Sequence, residues 1–369
     1  MDATSALPTI GVEEELLLLD PGTGRPLPVA AAVLDRLAGR PGPRAELMRY
    51  QIEAATGVCR DLAEVSDQLW RMRRDLAVAA AEEGSRLVAC GVTPYSNPGL
   101  AFLTDDPRYL ELARRYPVET AMSGTCACHV HVAVPSREAG VRVLDAVRPW
   151  LATFLAASVN SAISSGRASG WHSRRFALLS RWPTARPPRR WSDSAGYDAT
   201  VRELIATGAA LDERAVYFLT RLSPRYPTVE VRVPDVCPDI DTALLLAALI
   251  RALVVTALGA AVRYRSGGLE EDLTTAAHTG LGAIGTDPRT GRRVPQYRLL
   301  DGLRSYVDDA LAELGDRAVA DRSLRLLSER GTGAERQLRQ WYSNASPSAF
   351  VRELARTTLT APMASPAWA

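Results

Sequence analysis

The sequence predicts an α+β fold. Three features carry this expectation: short stretches in which apolar and polar residues alternate, one long stretch with helical apolar spacing, and one continuous apolar run too long for a strand. "TIGVEEELLLLD" (9–20) reads as a strand that ends at the turn "DPGTGRP", and "MRYQIEAAT" (48–56) as a second extended run. From Asp61 to about Glu83, apolar residues fall at Leu62, Val65, Leu69, Met72, Leu76 and Ala80, which is amphipathic helix spacing. "SRLVACGVTPYS" is a short buried strand running into a loop, and "CHVHVAV" is a cleanly alternating strand. "AGVRVLDAVRPWLATFLAASVNSA" then turns helical, with Pro149 expected to kink it.

A further strand, "TVEVRV" (228–233), is closed by Pro234 and leads to the apolar run "ALLLAALIRALVVTALGAAV" (243–262), with Asp239 or Asp241 as its cap. A central arginine costs roughly 2.5–3.5 kcal/mol on membrane-insertion scales. This run is therefore a buried core helix, with Arg251 facing either a subunit contact or an internal partner. The last hundred or so residues are mostly helical, broken at "TDPRTGRR" and "GTGAE". No internal repeat is present, and the best linker candidate, "PTARPPRRWSDS", sits inside a loop. Residues 1–369 are thus expected to form one domain, with an ordered core from about 7 to 360.

Composition excludes several functions. Net charge is only +2, from 44 basic and 42 acidic residues, so no chain-wide field draws this protein to nucleic acid or to a membrane. All 44 basic residues are arginine. Phosphate-loop, kinase and Schiff-base lysines are impossible here. Five irregularly spaced cysteines and the lack of a secretory leader pattern point to a reducing, cytoplasmic compartment.

Residues i and i+2 of a strand share a face. By that rule Glu13 pairs with Glu15, Gln51 with Glu53, His129 with His131, and Glu230 with Arg232. The opposite faces are aliphatic (Ile52 and Ala54; Val130, Val132 and Val134; Val229, Val231 and Val233), except that Glu14 interrupts the first. A solvated polar face explains any one of these strands, but not four together. Carboxylates so crowded would repel one another without cations. Oxygen-rich sets suit Mg²⁺ or Mn²⁺, and Mg²⁺ commonly shares its shell with phosphates, which points to a nucleotide.

The cysteines at 126 and 128 read differently. Cys128 has the parity of the valines, opposite the histidines, so a Cys/His zinc site on this strand is awkward, and C-x-C is not the C-x-x-C redox motif. Between positions 167 and 190 lie seven arginines (167, 174, 175, 181, 186, 189, 190) among Trp171, Trp182 and, just beyond, Trp191. This segment is a solvated loop, a nucleic-acid grip, or a loop that folds over the acidic face and holds small anions. We favour the last, because guanidinium forks match phosphate and carboxylate.

"GVEEELLLLD", "QIEAATGVCRD", "CACHVHVAV", "NSAISSGRASGWHSRRFALLSRWPTARPP", "TVEVRVPDVC", "TDPRTGRRVP" and "GTGAERQ" occur in one order over nearly the whole chain. The sequence thereby resembles the bacterial carboxylate-amine ligase family, glutamate–cysteine ligase type 2-like and distantly similar to glutamine synthetase. The resemblance implies a curved antiparallel sheet forming an active-site funnel, with helices packed on its outer face and metal–ATP inside. It implies Glu13, Glu15, Glu53, His129 and Glu230 as ligands of Mg²⁺ or Mn²⁺, Arg232 as the phosphate-stabilising residue, and Arg175 as a contact to substrate carboxylate or phosphate. Arg167 and His131 are expected with Arg175 and Arg232 on the ATP side, and Glu230, Arg232 and Arg175 are the expected catalytic set.

The implied chemistry is an ATP-dependent ligation: ATP converts a carboxylate to an acyl phosphate, and an amine then attacks and displaces phosphate. No serine, cysteine or lysine nucleophile is required. The implied partners are a small-molecule carboxylate, an amine and a second copy in a homodimer, with no nucleic acid and no membrane. Ala127, Ala168 and His278 depart from the family pattern, which points to changed substrates. A non-catalytic nucleotide- or amino-acid-binding relative and a zinc hydrolase built on the histidines are the competing functions.

Overall fold

The structure, a computed structural model, describes residues 7–259, 268–343 and 346–363. Its organising element is an open, wholly antiparallel seven-stranded sheet. The strands are β1 (Ile10–Leu19), β2 (Pro43–Ala45), β3 (Gln51–Ala55), β4 (Arg86–Val88) and β5 (Cys128–Ala133). Small hairpin strands β6 (Ile163–Ser164) and β7 (Arg167–Ala168) intervene before β8 (Thr220–Leu222) and β9 (Thr228–Val231). A last hairpin pairs β10 (Ile284–Thr286) with β11 (Arg293–Pro295). Strand order is β2-β3-β1-β5-β9-β8, with β4 also on β1.

The four strands singled out by alternation, β3, β1, β5 and β9, are thus consecutive neighbours. Alternation on adjacent strands in register multiplies into a two-sided sheet, with one apolar face and one polar face. On the apolar face Val12, Leu16, Ile52, Val130, Val132, Val229 and Val231 are all buried. They face the helix Ile240–Gly259, which packs on β5 and is itself enclosed by helices Leu62–Glu82, Arg137–Val147, Asp308–Leu314 and Arg317–Arg330. Each buried Leu, Ile or Val there contributes roughly 1.5–3 kcal/mol.

That apolar helix is long enough to span a membrane, yet every residue from Ile240 to Val254 is buried inside the protein. Residues 260–262 of the predicted run lie outside the described residues. Of the two candidate caps, Asp239 performs the role: its Oδ1 accepts from the Thr242 N–H at 2.9 Å and from the Thr242 hydroxyl at 2.8 Å. Asp241 instead accepts from the Met363 N–H. Arg251 has internal partners, donating to the Pro8 and Arg60 carbonyls and pairing with Asp316 at 3.2 Å. Pro149 divides the preceding helical segment as expected, into Arg137–Val147 and Leu151–Ser158 with a 3₁₀ turn between them.

Glu14, the residue that spoils the apolar face of β1, is fully buried against a fully buried Arg73. The pair is bidentate, at 2.9 and 2.6 Å, and the spare guanidinium donors reach the carbonyls of Cys237, Pro238 and Thr358. Arg73 thereby ties two distant backbone segments, at 237–238 and at 358, to the central strand. Removing one partner of such a pair strands the other charge in a low dielectric. Arg73→Ala is expected to lower unfolding stability by about 3–5 kcal/mol in urea titrations, and Glu14→Leu with Arg73→Met to recover most of it. A loss below about 1 kcal/mol in the single variant would contradict a structural role for the pair.

Candidate active site

The polar face of the sheet floors a cleft. Register sets its rows. Glu13 lies opposite His129, Glu15 opposite Glu53, Glu53 opposite Arg44, His131 opposite Glu230, and Glu230 opposite Arg221. Glu13, Glu15, Glu53, His129, His131, Glu230 and Arg232 all line this one cleft. Gln51, at the same parity, is buried and holds backbone instead: its amide donates to the Thr125 carbonyl and accepts from the Met48 N–H.

Within the cleft the groups divide into two clusters. In the first, ligand atoms of Glu13, His131 and Glu230 lie within 4.8 Å of one another. His131 Nδ1 sits 3.0 Å from the Thr228 hydroxyl, while its Nε2 is buried without a hydrogen-bond partner, 3.6 Å from Glu13 Oε1. An imidazole steered from behind, with its other nitrogen bare and facing carboxylates, has the arrangement of a metal ligand. His129 Nδ1 is 3.5 Å from Glu13 and 4.0 Å from Glu230. Glu230 is held by Arg221, whose Nε donates at 2.8 Å, and by Arg232.

The second cluster is Glu15, Glu53 and Glu46. Glu15 accepts from the Ala127 N–H at 2.8 Å, and Glu53 pairs with Arg44. Burial, reinforced by the charges of Glu13 and Glu46, pushes the Glu53 carboxyl up to about 8. Burial raises Glu15 to about 7 against the pull of Arg175, and burial with the charge of Glu15 raises Glu46 to about 7. In the first cluster the balance reverses. Burial would raise Glu13 and Glu230, but the imidazoles around Glu13, and Arg221 and Arg232 around Glu230, hold both carboxyls below their ordinary range. Burial and the Arg232 charge lower His129 to about 4.

The arginine-rich segment does not supply the cleft's cations. Arg175 is buried, with its guanidinium donating to the Val233 and Arg232 carbonyls at 3.0 and 3.1 Å and lying 3.6 Å from Asp235. It anchors the exit of β9, and so the backbone that carries Arg232. Arg167 is exposed on the β6–β7 hairpin, outside the cleft lining. Arg186 binds carbonyls of its own loop, Arg189 binds Thr200, and Arg190 pairs with Asp145. The loop's contribution is Trp182, which packs on Tyr217 and Leu112 and donates to Ser123, and so backs two residues of the cleft lining.

The cleft's arginines are Arg44, Arg108, Arg214, Arg221, Arg225 and Arg232. Sequence reasoning found only the last. Arg221 had a local signal, the alternation of "FLTRLS", but β8 is too short to stand out; the others reach the cleft only through folding. Two departures from the family pattern lie elsewhere: Ala168 pairs with Ile163, and His278 stacks on Trp171 at 3.5 Å, neither lining the cleft. Ala127 needs no glycine, since the only described non-glycine residue with positive φ is Ser165. All five cysteines are free and buried.

Residues 9–356 match the model of glutamate–cysteine ligase family 2. The chain belongs to that family. Among its curated relatives is "Putative glutamate--cysteine ligase 2" of Salinispora arenicola, 43% identical over 339 residues, covering 90% of this chain and 89% of the relative. A Nocardia farcinica relative, "Putative glutamate--cysteine ligase 2-1", is 41% identical over 364 residues, covering 95% and 94%. The fold is similar to that of a glutamate–cysteine ligase of Francisella tularensis solved in complex with AMP, with TM-score 0.68, 13% identity, and coverage of 99% and 92%. It is also similar to the Pup ligase PafA solved in complex with Pup, with TM-score 0.53, 13% identity, and coverage of 95% and 71%.

A carboxyl raised on folding keeps protons that the unfolded chain has already released, so its effect on stability is lost as pH climbs from its ordinary value through the raised one. Glu15 and Glu46 at about 7 and Glu53 at about 8 all act this way. His129, held at about 4, acts oppositely, but its contribution is complete above its ordinary 6.5. The ligand-free protein is therefore expected to lose melting temperature as pH rises from about 6.5 to about 8.5. Glu53→Gln, which cannot ionise, should flatten that fall; a wild-type melting temperature that stays level or climbs over this window refutes the account.

Proposed function

We propose that this cleft joins a carboxylate to an amine at the expense of ATP, with Mg²⁺ or Mn²⁺, through an acyl phosphate. The carrying observation is the bare, buried Nε2 of His131 between Glu13 and Glu230, on a sheet face crowded with carboxylates. Membership in glutamate–cysteine ligase family 2 supports the reaction class. Glu13, His131 and Glu230 would hold one divalent ion, with His129 beside them, and the raised carboxyls of Glu15 and Glu53 mark where further positive charge is wanted. When bound, the ion would neutralise phosphate oxygens and polarise the transferring phosphoryl group. The polar face of the open sheet would serve as the funnel that the family resemblance implies.

The chain's own residues supply position and charge. Arg232 would stabilise the phosphoryl oxygens, pivoting from Glu230, to which it is now paired. Arg214 and Arg225 are exposed at the cleft lip, and among the described residues their guanidiniums pair with nothing, so they are available to anionic groups of the substrates. Arg175 would act by fixing the carbonyls of Arg232 and Val233 rather than by touching substrate. Arg167 is distant from this arrangement and takes no part in the proposal. The carboxylate and amine are small molecules, amino acids among them, as the relatives' names suggest.

ADP release with pooled amino acids and amines tests the reading. Turnover is expected with Mg²⁺ or Mn²⁺. No turnover with any pool, together with measurable ATP affinity, would favour a binding role instead. Glu13→Gln is expected to lower turnover by about 10²–10³-fold while the fold survives, as read by circular dichroism. Thr228→Val, which frees the His131 ring, should weaken Mn²⁺ binding by about 10–100-fold; affinity within twofold of wild type would remove His131 from the ligand set.

A further inference from the structure

The cleft draws on the strand motifs and leaves "GTGAERQ" (331–337) unused. That segment supplies Gly333, Arg336 and Gln337 to a second cavity, of about 680 Å³, which is within the size range of small-ligand sites. Helices Arg317–Arg330, Gly333–Tyr342 and Pro347–Thr358 all contribute to its walls. No residue lines both this cavity and the cleft. Its floor is the buried pair Asn160 and Gln337, whose amides are already satisfied. Asn160 donates to the Ala89 and Val236 carbonyls, and Gln337 donates to both oxygens of Asn160. A Cβ at Gly333 would lie 2.2 Å from Asn160 Oδ1, so only glycine lets the helix begin this close to the floor.

The walls are less settled. Four lining residues are arginine: Arg330, Arg336, Arg339 and Arg356. Arg356 is held by Glu353, with two donors at 2.8 and 2.5 Å. The other three keep spare capacity. Arg336 donates through Nη1 to Asp239 at 2.7 Å and through Nε to the Gly331 carbonyl at 3.0 Å. Its Nη2 is buried and, among the described residues, bonds to nothing. Arg330 approaches carboxylates only at 3.5 and 3.8 Å, those of Asp241 and of an Asp239 that Arg336 and Thr242 already hold. Arg339 donates to the Arg330 carbonyl and, among the described residues, has no carboxylate within ion-pair distance.

Asp239 and Asp241 are not part of the lining, so they hold these arginines from behind rather than filling the space in front of them. Of the two acids that do line the cavity, Glu353 is taken by Arg356 and Glu329 is exposed. A guanidinium is a planar fork of five donors, and a buried donor without an acceptor is costly. Three such forks with spare donors around one polar cavity match a ligand that carries several anionic oxygens.

We propose that this cavity is a second ligand site, separate from the cleft, which takes a small polyanion bearing phosphate or carboxylate groups on Arg330, Arg336 and Arg339. The proposal goes beyond the ligase reading and does not depend on it, because none of these residues takes part in the proposed chemistry. The shared chemistry is the anionic oxygens; two probes separate the sources.

Pyrophosphate and citrate are titrated separately into the full chain by calorimetry, without metal and at fixed ionic strength. Arg336→Lys keeps a cation for Asp239 but loses the fork and its bare nitrogen, and Arg339→Ala changes an exposed side chain. The double variant Arg214→Ala/Arg225→Ala, in the cleft, is the control for general loss of positive charge. Wild type is expected to bind at least one probe with a Kd below about 1 mM. Affinity should fall about tenfold or more in both Arg336→Lys and Arg339→Ala, and stay within about twofold of wild type in the cleft variant. The tighter probe tells phosphate from carboxylate. If circular dichroism shows Arg336→Lys unfolded, Arg339→Ala decides alone. Failure of wild type to bind either probe overturns the proposal, as does unchanged affinity in the cavity variants. A loss confined to the cleft variant also overturns it, by placing the anion in the cleft.

Discussion

Carboxylates crowded onto one face of a sheet repel one another, and the architecture around this cleft is arranged to contain that repulsion. Four neighbouring strands turn Glu13, Glu15, Glu53 and Glu230 to the same side, where cross-strand register brings them opposite one another or opposite histidine. Burial sharpens the problem, because the charges cannot be screened by water. The protein answers unevenly. Around Glu230 it places Arg221 and Arg232 and drives the carboxyl to stay ionised, whereas around Glu15 and Glu53 it leaves the carboxyls raised towards neutrality. That unevenness separates carboxyls already held by arginine from carboxyls raised by burial.

What keeps the face rigid under this load lies behind it and at its ends. On the apolar side Glu14 and Arg73 form a second, fully internal ion pair that fastens β1 to the backbone at Cys237, Pro238 and Thr358. At the exit of β9, Asp235 is buried and accepts from the hydroxyls of Ser161 and Ser173 and from the Asn160 N–H, with Arg175 alongside. Arg175 passes that anchorage on to the carbonyls of Arg232 and Val233. The proposed function requires electrostatic preorganisation, and such supports serve it, since an arginine that drifts loses its advantage over water.

Much of this was legible in the chain. Alternation in "VEEEL", "QIEAA", "HVHVA" and "VEVRV" marked the strands and the face of each acid, and the ordered motifs marked the family. The apolar run at 243–262 was legible as a core helix because its central arginine disfavours a bilayer. The arginine-rich segment misled for a physical reason. Composition reports that guanidiniums are present, but a guanidinium carries five donors and is satisfied by any cluster of carbonyls. Arg175 found such carbonyls at the exit of β9 and Arg186 in its own loop, Arg189 found the Thr200 hydroxyl, and the segment's tryptophan packs behind the cleft lining.

Parity along a strand is a local property, so the sequence alone decided which side chains share a face, that Glu14 opposes them, and that lysine chemistry is absent. Which strands stand beside one another, which histidine nitrogen is left bare, and which arginines meet the acids are set by contacts between residues far apart in the chain. Arg221 and Glu230 meet through the β8–β9 pairing, Arg44 and Glu53 through β2 and β3, and Arg108 meets Asp212 from a different part of the chain. Charge neutralisation acts through space, and only the tertiary structure says what lies across that space.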